Sequence, residues 1–147
     1  MNENVSFLTN VKVELFDSNG NLKQLEEVHN TTTTLGKQGI ADQLLASPTL
    51  AKVGWAELGT GTGGTTLLNA YISGSRTAFT SKTRGANAIV TCVTDFAAGV
   101  GTGAITEAGM FNISTQNTGD MWTYASFAVI NKGASDTLKL TWTITVG

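Results

Sequence analysis

The stretch that most constrains this chain lies at its C-terminal end. Over residues 137–146, Leu138, Leu140, Trp142, Ile144 and Val146 alternate without a break with Lys139, Thr141, Thr143 and Thr145. A period of two belongs to a strand, because successive side chains point to opposite faces of a sheet. The alternation predicts one face in a core and a threonine ladder on the other, turned to water or to a partner. A lone strand of this kind is not stable, so the rest of the chain must supply its neighbours.

Residues 10–16 alternate in the same way, with Val11, Val13 and Leu15 against Lys12 and Glu14. They run into Asp17-Ser-Asn-Gly-Asn21, where Asn19-Gly20 is a strong hairpin signal. The return strand, residues 22–30, places Leu22, Leu25 and Val28 at every third position. That predicts either a bulge near Glu26 or an edge strand. The turn is not a calcium loop, since Val28 stands where the closing glutamate belongs. Further strands are predicted over 52–58, 70–82, 88–96 and 121–131. Residues 70–82 and 88–96 pair as a second hairpin through 83–87. Both 88–96 and 121–131 carry apolar groups on both faces, as central strands do. One helix is predicted over 35–46, with Ile40, Ala41, Leu44 and Leu45 on its apolar face and Ser47-Pro48 as its stop. It serves as a plug over an open end of a sheet.

Glycine marks the places where the chain changes direction. Residues 99–112 read Gly-Val-Gly-Thr-Gly-Ala-Ile-Thr-Glu-Ala-Gly-Met-Phe-Asn, with Glu107 as the sole charge. They are expected to form a corner between strands. A second run, Gly59-Thr-Gly-Thr-Gly-Gly-Thr-Thr66, lacks the lysine of a phosphate loop and the βαβ setting of a dinucleotide loop. It reads as a flexible surface loop.

The 147 residues amount to one domain, with residues 1–10 as an N-terminal arm and 11–147 as the folded body. Only 14% of residues are charged and the net charge is −2, which gives no electrostatic reason to expect nucleic acid or an anionic membrane as partner. No signal peptide and no apolar run of transmembrane length is visible. The chain is expected to be made in a host cytoplasm and to stay soluble until it assembles. About eight strands and one short helix predict an all-β fold, an antiparallel β-sandwich of jelly-roll character.

Reactive constellations are hard to assemble from these residues. Cys92 is the only cysteine and His29 the only histidine, so a tetrahedral metal site of nitrogen and sulfur ligands cannot be closed. Cys92 reads as a small buried hydrophobe, and His29 as a structural or surface residue with no nucleophile beside it. A carboxylate pair for glycoside cleavage is arithmetically open among Glu57, Asp95, Glu107 and Asp120, with Asp95 and Glu107 flanking one corner. Such carboxylates more often cap turns. Trp55, Trp122 and Trp142 could form a sugar-stacking platform, but each lies inside a predicted strand and reads as core. The expectation is therefore no enzyme, no catalytic residue, no cofactor and no metal.

Three stretches carry a resemblance: Ala56-Glu-Leu-Gly-Thr-Gly-Thr62, Thr106-Glu-Ala-Gly-Met-Phe-Asn112 and Asn131-Lys-Gly-Ala-Ser-Asp-Thr-Leu-Lys-Leu-Thr-Trp-Thr-Ile144. With the first hairpin, His29-Asn30 and the helix before Ser47-Pro48, they resemble small structural proteins of tailed bacteriophages over nearly the whole chain. The resemblance implies a virion component, either a capsid cement (decoration) protein or a tail-fibre module. As a cement protein it would form a homotrimer outside the shell, bridge major capsid protein subunits and use the arm to reach a neighbour. As a tail-fibre or adhesin module it would bind a host glycan. Phe7 and Leu8, apolar residues of the arm, are candidates for an interface if they are exposed.

Overall fold

The computed structural model describes residues 5–147. Among them the order is β1 (Phe7–Phe16), β2 (Leu22–Thr32), α1 (Thr34–Asp42), β3 (Trp55–Gly59), β4 (Thr77–Ala78), β5 (Ser81–Arg84), β6 (Ile89–Phe96), β7 (Gly103–Phe111), β8 (Met121–Lys132) and β9 (Thr137–Val146). The fold is all-β and antiparallel with one short helix. The two layers of the expected sandwich are a single curled sheet, in the order β4-β3-β7-β8-β2-β1-β9-β6-β5.

Two features join the layers. The first is β2, which pairs with β1 from Leu22 to Asn30 and then with β8 through Thr31 and Thr32. Residues 22–30 are thus unpaired on their other side, which makes that length an edge. The bulge lies between Leu15 and Phe16, not near Glu26. The second feature is the crossing from β4 to β5. The Phe79 N–H donates to Gly54 O at 2.9 Å beside β3, and the Thr80 N–H donates to Val93 O at 2.7 Å on β6. The predicted strand 70–82 is therefore two short pieces on opposite layers, and the step between them closes the curl.

The alternation of β9 sets the core. Leu138, Leu140 and Trp142 are buried and lie in rows with Leu15, Val13 and Val11 of β1. On the other side they meet Phe96, Thr94 and Cys92 of β6. All of these side chains but Thr94 share one cluster with Ala56, Leu58, Ala108, Met110 and Ala125 of the facing layer. Each fully buried large apolar side chain stabilises by about 1.5–3 kcal/mol relative to exposure.

Three expectations need correction. Residues 103–111 are not part of a corner but a strand between β3 and β8. The turn is confined to the residues just before Gly103, where Gly99 N–H bonds Ala134 O at 2.8 Å. The helix ends at Asp42, and its buried residues are Gly36 and Gly39. Leu44 and Leu45 are 86% and 57% exposed. The glycines win because α1 lies directly on Trp122. A Cβ at Gly36 would stand 2.1 Å from Trp122 O, and one at Gly39 would stand 2.3 Å from its ring. Thr33 caps the helix, accepting from Gly36 N–H at 2.9 Å while its own N–H bonds Trp122 O. Finally, residues 7–10 of the expected arm are the first residues of β1; its residues 1–4 lie outside the described residues.

Candidate functional site

The outer faces of the two layers differ. The face carrying Glu57, Glu107, Phe111 and Tyr124 is covered by the chain's own loops. Glu107, fully buried, accepts from Ala70 N–H at 2.8 Å, Gly61 N–H at 3.2 Å and the Tyr124 hydroxyl at 2.9 Å. Tyr124 Oη in turn accepts from Gly63 N–H at 2.7 Å. Burial, and next the bond to Glu107, push the Tyr124 phenol above its ordinary pKa, so it stays a neutral donor. The glycine-rich run expected to be a flexible loop is thus pinned to the sheet by one carboxylate. Gly59 leaves room for it, since a Cβ there would stand 2.5 Å from Glu107 Oε1.

Glu57 is buried beside Arg76 with an Nε–Oε2 distance of 2.7 Å. Gln116 Nε2 also donates to it at 3.1 Å. The guanidinium lies 3.6 Å from the Phe111 ring centroid, and its Nη1 bonds Ile113 O at 2.6 Å. This pair ties residues 72–76 and 113–118 to β3 and β7.

Another buried charge secures the end of the sandwich. Lys132 Nζ donates to Asp136 O at 2.7 Å and Ala97 O at 3.1 Å. Asp136 accepts from Lys23 Nζ and Gly133 N–H, both at 2.8 Å. The bond from Lys23, then that from Gly133, hold the Asp136 carboxyl below the usual range.

Asp95 and Glu107 do not meet. Asp95 is exposed on β6, 3.8 Å from Lys139 Nζ, whereas Glu107 is buried in the other layer. Asp120 is half-buried, and its backbone exchanges bonds with Asn112. Glu57 and Glu107 do share one face, since Glu57 lies opposite Gly109 and Glu107 opposite Gly59. Both carboxylates already accept bonds from this chain and serve as loop anchors. Cys92 is buried in the row of Trp142, and burial pushes its thiol up to about 11. His29 is exposed, with Nδ1 2.5 Å from Asn10 Oδ1. Among the described residues no three of His, Cys, Asp and Glu gather as a metal-binding group, and no helix is long and apolar enough to cross a membrane. Trp122 and Trp142 are core residues and Trp55 is half-buried.

The other outer face is open. Register places Thr83, Thr91, Thr143, Asn10 and His29 in one row across β5, β6, β9, β1 and β2. The next row reads Ser81, Val93, Thr141, Lys12 and Glu27. Four of the charges on this face stand in opposite-sign pairs, Lys12 3.5 Å from Glu14 and Lys139 3.8 Å from Asp95, while Glu27 is exposed next to Lys12 in the register. A shallow depression of about 420 Å³ lies at its centre, lined by Asn10, Lys12, Glu27, His29, Thr141 and Thr143.

A larger, open cleft of about 730 Å³ lies beside the covered face, between residues 31–38 and residues 63–66, with Tyr124 between the two walls. Sequence reasoning missed it because its walls come from segments remote along the chain. No family model, no curated protein and no solved structure matches this chain.

Proposed function

We propose that this chain is a structural protein of a tailed-phage virion, a capsid cement (decoration) protein that sits outside the shell and bridges major capsid protein subunits. The observation that carries the reading is the asymmetry of the two outer faces. One is sealed by loops that Glu107 and the Glu57–Arg76 pair fix in place. The other is an open, threonine-rich five-stranded face on which Lys12–Glu14 and Lys139–Asp95 stand as opposite-sign pairs. Docking such a face desolvates little uncompensated charge, and many copies packed side by side do not repel. Leu8 and Leu25, 55% and 47% exposed, stand at two borders of this face and suit contacts between copies of a homotrimer. The resemblance of the three quoted stretches to phage structural proteins agrees with this role.

The work of such a protein is mechanical: a rigid body holds adjacent shell subunits against internal DNA pressure. Adding the purified protein to emptied or expanded capsids of the encoding phage raises their melting temperature on this reading. Capsids that melt unchanged in its presence reject it. The tail-fibre alternative gains no stacking platform from the tryptophans, since Trp122 and Trp142 are buried in the core and leave the half-buried Trp55 alone.

A further inference from the structure

We infer that the cleft between α1 and the glycine-rich loop is a binding site for a saccharide of one or two pyranose rings. Its volume of about 730 Å³ lies within the roughly 300–1,000 Å³ usual for small-molecule sites. Its chemistry selects among ligands. Thr31, Thr34 and Gln38 on one wall and Thr65 and Thr66 on the other present neutral groups that both donate and accept. A pyranose offers the same dual character at each hydroxyl, and its C–H face needs an apolar surface, which Tyr124 and Leu35 supply. Among the described residues that line the cleft, Lys37 is the only charged one. A polyphosphate requires several cations or a glycine loop with a lysine, and the lining supplies neither.

Both walls are held before any ligand arrives. The loop wall is fixed by Gly63 N–H to Tyr124 Oη at 2.7 Å, by Ala70 N–H to Glu107 at 2.8 Å and by Thr106 Oγ1 to Gly61 O at 2.7 Å. The helix wall is fixed by the Thr33 cap and by the seat of Gly36 and Gly39 on Trp122. Preorganised walls reduce the ordering cost that weakens small-ligand binding. The site does not include the open threonine face, so either proposal can fail without the other.

The test is an amide chemical-shift titration of the full chain with lactose, cellobiose and N-acetylglucosamine, and separately with inorganic phosphate. The expected result is a saturable shift for at least one sugar, centred on residues 34–38 and 63–66. Gln38→Ala and Thr66→Val, both at exposed positions, each weaken binding about fivefold, the loss of one neutral hydrogen bond. Their spectra elsewhere stay those of the wild type, which separates lost binding from lost fold. Sugar shifts centred elsewhere, no saturable shift with any sugar, or a response to phosphate alone would each overturn the inference.

Discussion

At the scale of single residues, the charged groups of this protein act as rivets for its loops. Glu107→Ala leaves Ala70 N–H, Gly61 N–H and the Tyr124 hydroxyl without their acceptor, at a cost of about 2–4 kcal/mol in urea unfolding. Glu107→Gln retains one acceptor oxygen and costs less. Arg76→Met strands Glu57 as a buried charge and costs about 3–5 kcal/mol, most of which returns in the Glu57→Leu/Arg76→Met double variant. Asp136 gives a pH signature. Its folded pKa is depressed, so its contribution is complete above the ordinary carboxylate value of about 3.9 and is lost as pH falls through the lower folded value. Wild type and Asp136→Asn therefore differ at neutral pH and converge in acid. Cys92, with its thiol at about 11, is neutral at ordinary pH and shielded. Iodoacetamide labels it only after unfolding, and rapid labelling of the native protein would contradict its burial. Little of this was legible in the sequence. The partners of Glu107 are backbone N–H groups of residues 61 and 70, which any sequence supplies, so no residue pattern announces the site. Cys92 was legible, because a lone cysteine among Ile, Val and Thr has only packing to offer.

At the scale of elements, local periodicity succeeded where one face met one core. The alternation of β9 and β1 and the Asn19-Gly20 turn fix their own neighbours, since a slip of one residue would turn every apolar side chain outward. It failed for α1 and β7. Of the spacing Ile40, Ala41, Leu44 and Leu45, only Ile40 packs against the core, since closeness to Trp122 selects the face that carries Gly36 and Gly39 and the helix ends before Leu44. Gly39→Ala drives a Cβ toward the Trp122 ring. It costs about 1–3 kcal/mol by overpacking, and a shift in tryptophan emission accompanies the loss. Emission and stability equal to wild type would show that the helix does not sit where described. Of the glycines that suggested a corner, Gly99 and Gly101 do turn the chain, whereas Gly103 and Gly109 belong to β7. Gly109 has Met121 Sδ 2.6 Å from where its Cβ would be, so glycine there admits a neighbour and marks no turn.

At the scale of the whole molecule, the decisive feature is that one outer face is sealed and the other open. Closing the curl through β2 and the β4–β5 step makes a rigid body, and fixing the long loops on one side leaves the threonine ladder as its broad uncovered sheet. The ladder was legible in residues 137–146; that five strands extend it was not, because β5 and β6 join it only through long-range pairing. Thr143 sits in its central row. The most direct measurement is sedimentation of the protein with capsids of the encoding phage, wild type beside Thr143→Lys, with both shown to be folded by circular dichroism. The account predicts that wild type pellets at a saturable ratio matched to the symmetry of the shell, while Thr143→Lys stays in the supernatant. Folded wild type that ignores the shells, or a lysine variant that pellets as well as wild type, would contradict it.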